Sequence, residues 1–370
     1  MSATPATKPK IMTVRGPIAP EELGFTSLHE HILVDIAETF RGRYRQILPD
    51  IPMPDGPFVL EDRSALRHGI LLSSENLQLD DEEAATGEVA DFAAVGGSAI
   101  VETGAPGIRT AKDVEAFKRI SEDTGVHIIA CTGLYAENSW PERFHGLTRD
   151  QYAGYLRGEI ANGIGDSGIL PGQIKVAYEG STEPADAYTR AAALISRESG
   201  LSLQVHVGLL LQNSYLRETL LPLLYEGDCI PERTVICHVE TWLGFLPLTQ
   251  LVKDPRSIPC DLSLHREVLD RGFNICFTCL GAEWDLEQMG FAHRPDWFYL
   301  AGLLTLINEG YSGQICLGHD VFTRLDTRRG GGAGFTRIHN FVLPTLRQCG
   351  VSEADIRKIT VENPARLLAY

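Results

Sequence analysis

Short apolar runs rich in β-branched residues recur eight times along the chain, and helical spacing fills most of the gaps between them. The runs predict strands at Gly24–His31, Ser98–Thr103, Val126–Thr132, Gln173–Tyr178, Leu201–Val207, Thr234–Val239, Gly272–Thr278 and Gln314–His319. In Ala111–Asp123, Pro184–Ser199 and Asp296–Glu309 the apolar residues fall at three- and four-residue steps, as one buried helix face requires. Strand then helix, repeated eight times, predicts an α/β protein with a parallel sheet, and eight such units can close into a (β/α)8 TIM barrel. The competing open, doubly wound sheet would carry G-x-G-x-x-G after its first strand, and no such motif follows Gly24–His31.

One stretch breaks the rhythm. Residues 36–80 carry proline, arginine and acidic clusters without a sustained period, and they fall between the first strand and its helix. An extended loop over the barrel mouth is expected there, contributing to a substrate pocket. No repeat or linker divides the rest. The expectation is a single domain over 1–370, with an N-terminal extension at 1–15 and a C-terminal helical cap at 352–370.

Composition narrows the function classes. A barrel needs roughly 250 residues, so 370 leave ample chain for loops and a sizeable core. Lys plus Arg number 33 against 49 Asp plus Glu, a net charge of −16 that disfavours nucleic acid, anionic membranes and polyanionic substrates. No apolar run approaches a spanning helix, and the first ten residues lack a signal-peptide core, so a cytoplasmic protein with a small-molecule substrate is expected. Eight cysteines scattered over a chain this long are expected to be reduced thiols. Cys276 and Cys279 form a C-x-x-C, but residues three apart on a strand face opposite ways, so both are expected to be buried strand cysteines.

The chemistry sits at strand ends. His29 and His31, two apart in Leu-His-Glu-His, place both imidazoles on one face of the first strand and Glu30 on the other. Lys175 interrupts the apolar fourth strand, where an unpaired ammonium is costly to bury. His206, His238 and Asp320 fall near the ends of the fifth, sixth and eighth strands. Alone, each is an ordinary polar strand end. Six at one rim of one barrel point to a metal site, because that rim is where barrel enzymes place their chemistry. Imidazole and carboxylate donors suit zinc, with manganese or cobalt as alternatives.

The motifs Gly16–His31 (GPIAPEELGFTSLHEH), Gln173–Ala177 (QIKVA), Cys316–Phe322 (CLGHDVF) and Glu362–Leu368 (ENPARLL) give the chain a resemblance to the phosphotriesterase-related family of the amidohydrolase superfamily, over nearly its whole length. That family includes lactonase-like members and some labelled resiniferatoxin-binding. The resemblance implies a binuclear centre: His29, His31 and Asp320 on the more buried ion, His206 and His238 on the more exposed one, and a carbamylated Lys175 bridging both. It implies a homodimer as well. It further implies a hydroxide bridging two divalent ions that attacks a carbonyl or phosphoryl centre, with Asp320 taking up the proton.

Tyr135 follows the third strand where, in the resemblance, lactonases carry tyrosine and phosphotriesterases tryptophan. A lactone or related ester is therefore expected as substrate, with phosphotriester hydrolysis as a side activity or, alternatively, the main one. Two positions depart from the family pattern. Thr241, with Glu240 before it, stands where relatives place a proton-shuttling aspartate, and Phe277–Gly281 lacks the usual histidine or arginine. The glycine-rich stretch Thr327–Phe335 could cradle an anion with Arg328 and Arg329, though a surface loop with solvated arginines is the simpler expectation. His319 is expected to point away from the site and pack or hydrogen-bond behind it; His68, His127, His145, His265, His293 and His339 are expected to be structural. Two other classes compete with a hydrolase: a non-catalytic metal-containing binding protein on the same scaffold, and a metal-free aldolase using Lys175 as a Schiff-base nucleophile.

Overall fold

The computed structural model describes residues 9–40, 56–71, 73–209, 211–244, 247–282 and 294–370. Eight parallel strands form one sheet: β1 (Thr26–Glu30), β2 (Ala99–Glu102), β3 (His127–Leu134), β4 (Gln173–Tyr178), β5 (Leu203–Val207), β6 (Thr234–Cys237), β7 (Asn274–Phe277) and β8 (Ile315–Leu317). Each pairs with its sequence neighbour, for example Lys175 with Gln204 and Cys237 with Cys276. The seam between β8 and β1 is closed by the Asp320 N–H, which donates to the His29 carbonyl at 3.1 Å. Gly318 permits this approach, since a Cβ there would lie 2.9 Å from the His29 oxygen. The result is the TIM barrel expected from the alternation of elements.

The helices follow in turn: α1 (Glu82–Ala94), α2 (Ala111–Thr124), α3 (Arg149–Asn162), α4 (Glu183–Ser199), α5 (213–226, with a π-turn at Leu216–Leu220), α6 (Ser263–Asp270), α7 (Asp296–Asn308) and α8 (338–348). Their ends are written in the sequence. The Thr182 hydroxyl accepts from the Ala185 N–H to start α4, and Gly200 ends it at φ +78, a conformation costly for other residues. Inside the barrel, Leu28, Val101, Cys131, Val235, Cys237, Cys276 and Cys316 belong to one buried apolar cluster. Outside, the helices bury a larger apolar cluster against the strands. Each fully buried aliphatic side chain contributes about 1.5–3 kcal/mol.

Within 36–80 the described residues include a short helix (Ala37–Phe40), a second (Arg63–His68) and Gln78–Leu79 paired antiparallel with Val34–Asp35. Residues 41–55 and 72 of that stretch lie outside the described residues. An N-terminal hairpin (Ile11–Thr13 with Gly16–Ile18) and the C-terminal helical turns at 353–368 meet beneath the barrel, where Lys10 and Tyr370 exchange backbone hydrogen bonds. No helix among the described residues is long and apolar enough to cross a membrane.

Candidate metal centre

His29 and His206 lie near the C-terminal ends of β1 and β5, Lys175 lies deeper in β4, and His31, His238 and Asp320 stand just beyond β1, β6 and β8. A bulge helps to aim the first pair, because the register between β1 and β2 shifts between Ser27 and Glu30. His238 and Asp320 are aimed by strained backbone. Both have left-handed φ, +63 and +55, a conformation that costs a non-glycine residue about 1–2 kcal/mol. Among the described residues Asp228 alone shares it outside glycine.

The six residues converge. Asp320 Oδ1 lies 3.3 Å from His29 Nε2 and 3.5 Å from His31 Nε2, and its Oδ2 lies 3.8 Å from His238 Nδ1. Lys175 Nζ is 3.4 Å from His29 Nε2 and donates to Gln204 Oε1 at 3.1 Å. His206 Nδ1 faces His238 Nε2 at 2.7 Å. Two trios result, His29–His31–Asp320 and His29–His206–His238, each with donor atoms within 4.8 Å of one another. The aromatic ring of Tyr135 stands edge-on to His206, centroids 5.5 Å apart.

Burial tunes these groups toward metal binding. It drives the His29 pKa well below the ordinary value, helped by Lys175, and lowers His206 to about 4, helped by His238. Both rings therefore stay neutral and keep a lone pair to donate. Burial likewise lowers the Lys175 pKa, because desolvation penalises the ammonium. For Asp320 burial works against the carboxylate, but His29, His31 and His238 outweigh it and hold its pKa well below the usual range. Imidazoles gathered around an ionised carboxylate are a donor set that fits divalent cations. It is Nε2 of His29 and of His31 that faces Asp320, while Nδ1 of each ring, on the far side, is buried without a hydrogen-bond partner among the described residues.

Other expectations met a different outcome. Both cysteines are buried as expected, and Cys276 lies on its strand, but β7 ends at Phe277, so Cys279 is free of strand alternation. Its Sγ turns to within 3.7 Å of His238 Nδ1. In Thr327–Phe335 both arginine side chains are exposed, as the simpler expectation had it, but the loop's amides are engaged and leave no vacant cradle. The amides of Arg328 and Arg329 donate to Glu88 at 3.1 and 3.2 Å, and Arg328 pairs with Asp91 at 2.7 Å. The anion it holds is the protein's own.

His319 turns away from the mouth to Glu30, with Nδ1 at 2.6 Å. His265 contacts the Val239 carbonyl, His145 the Trp140 carbonyl, and His127 Arg15; His339 packs on Phe25. His68 closes a short helix, and His293 lies outside the described residues. Sequence reasoning missed three neighbours of the centre: Glu102, 3.9 Å from His31 Nδ1; Glu179, 3.0 Å from His206 Nε2; and Thr278, 2.6 Å from His238 Nδ1. The available signal was a polar residue ending an apolar strand at the same rim.

Known proteins share this arrangement of strands and sequence. A relative from Xenopus tropicalis, N-acetyltaurine hydrolase, is 29% identical over 98% of both chains. A crystal structure of a resiniferatoxin-binding protein from Rhodobacter sphaeroides superposes with a TM-score of 0.82 at 30% identity, covering 97% of this chain and 94% of that one. A mutant PTE-like lactonase from Deinococcus radiodurans gives 0.70 at 25% identity, covering 97% and 99%. The Phosphotriesterase family model matches residues 9–254 and 259–368, a span that holds all six converging side chains, and the chain belongs to that family.

Proposed function

We propose that this protein is a metal-dependent hydrolase of a small carboxylic acyl substrate. The observation that carries the reading is the convergence of His29, His31, Lys175, His206, His238 and Asp320 at one barrel mouth. His29, His31 and Asp320 would hold one divalent cation and His206 and His238 a second, zinc being the best match to the donors. Lys175, which burial shifts toward the neutral amine that adds carbon dioxide with loss of a proton, would hold both as a carbamate whose one negative charge is shared over two oxygens. Bound there, the cations supply Lewis acidity that lowers the pKa of water and polarises an acyl oxygen.

The chain's own residues do the rest. Asp320 stays ionised at the centre of the site and offers its carboxylate oxygens to a proton. Tyr135, buried against His206, forms an aromatic wall that keeps water from one side of the reacting centre. A lactone remains the substrate expected from Tyr135, and the amphibian relative's substrate adds an N-acyl amide; both present a carbonyl to the same chemistry. Metal should be quantified after zinc supplementation, then lactones, N-acyl amides including N-acetyltaurine, and phosphotriesters screened. The expected result is two equivalents of metal and turnover fastest on an acyl substrate, lost in His206→Ala and Asp320→Ala. Near-wild-type kinetics in either variant with verified metal, or phosphotriesters as the best substrates, would overturn the reading.

A further inference from the structure

We propose that Thr278 and Glu240 form a positioning relay that fixes the tautomer of His238, while Glu179 fixes the opposite tautomer of His206, so that one bare nitrogen of each ring faces the same point. The inference rests on the metal-centre reading above. Glu240 follows β6 by three residues and is buried. Its Oε2 accepts from the Thr278 N–H at 3.2 Å, and its Oε1 accepts from the Cys279 N–H at 3.0 Å and from the Thr278 hydroxyl at 2.9 Å.

A hydroxyl has one proton to give. Thr278 gives its proton to the carboxylate, so toward His238 Nδ1, 2.6 Å away, it must accept. Nδ1 of His238 therefore carries the ring proton and Nε2 carries a lone pair. At His206 the logic runs through the other nitrogen: Glu179 Oε1 lies 3.0 Å from Nε2, a carboxylate only accepts, and Nδ1 is left bare. The two bare nitrogens are 2.7 Å apart, too close for two lone pairs with nothing shared between them. A metal cation held by both resolves the contact, and in the metal-free protein an extra proton shared by the two nitrogens takes its place. Glu240 precedes Thr241, the first departure from the family pattern, and Thr278 lies within the second, Phe277–Gly281; their work is to orient a ligand.

Thr278→Val keeps the side-chain shape and removes the hydroxyl, whereas Thr278→Ser keeps the hydroxyl. Zinc affinity of the full chain, measured by chelator competition, should fall about 10–100-fold for one of the two ions in Thr278→Val and stay near wild type in Thr278→Ser. Metal-free thermal unfolding of each variant separates this from a folding defect. Long-range 1H–15N spectra of the metal-free wild type should show His238 protonated on Nδ1. A Thr278→Val protein that binds zinc as tightly as wild type, or a neutral His238 protonated on Nε2, overturns the relay. If Thr278→Val does not fold, the wild-type spectrum decides. A wild type that takes up no metal refutes the metal centre, and the same spectrum still tests the relay.

Discussion

Glu30 shows how one residue can serve a site from its far side. Strand alternation turns it away from His29 and His31, and there it gathers donors from the end of β8. The His319 amide reaches it at 2.8 Å, the Val321 amide at 3.3 Å, and the Ser27 hydroxyl also donates to it. The Ile338 N–H donates into His319 Nε2 at 3.2 Å, so the ring proton sits on Nδ1 and points at Glu30. This buckle fastens β1 to the segment that presents Asp320. Glu30→Gln keeps the size but turns one acceptor oxygen into a donor facing other donors. We expect a loss of about 1–3 kcal/mol in equilibrium urea unfolding. A change below about 0.5 kcal/mol, the size of an ordinary surface substitution, would show that the buckle does not bear on stability.

At the scale of elements, α6 is tied to the turn after β6 by His265, which is buried and within 2.9 Å of the Val239 carbonyl. Burial lowers its pKa to about 4, against the pull of that carbonyl and of Glu240. The unfolded chain takes up a proton near pH 6.5 and the folded one near 4, so this contribution to stability is complete above 6.5. It is lost as pH falls from 6.5 toward 4, at most about 3 kcal/mol. His265→Gln can still donate to Val239 and cannot titrate. Urea unfolding at pH 7 and pH 5 should therefore show a smaller pH penalty for the variant than for wild type, and equal penalties would contradict the assignment.

The same scale explains what the sequence could reveal. Strand cores were legible because a buried parallel strand needs an unbroken apolar run, and His29 with His31 because alternation sets their common face. Lys175 announced itself as an ammonium with no local reason to be buried. Glu179 and Thr278 did not, since a polar strand end looks alike whether it faces water or a histidine 27 or 40 residues away. The loop at Thr327–Phe335 could be read as surface with exposed arginines, but not as the holder of Glu88, which lies 240 residues before it.

The molecule as a whole divides its labour between two ends of the barrel. The mouth carries the titratable cluster, while the base is closed by the last residues of the chain. Leu367 and Leu368 are fully buried there with Ile11 and Leu23. Asn363 donates to the Ser312 and Ile315 carbonyls at 2.8 Å each, and Arg233 holds the Ala369 carbonyl at 2.8 Å. Burying two leucines is worth about 3–6 kcal/mol, a large share of the 5–15 kcal/mol that typically separates folded from unfolded domains. Removing residues 363–370 should therefore prevent accumulation of soluble protein. Leu367→Ala is the gentler probe, with an expected cost of about 2–5 kcal/mol. Because no hydrogen bond or ion pair among the described residues joins this base to the six converging side chains, kcat of the folded fraction of Leu367→Ala should match wild type at a temperature well below its unfolding transition. A variant that is folded by circular dichroism yet has lost turnover would mean that the two ends are coupled, and that the barrel does not insulate its chemistry from its foundation.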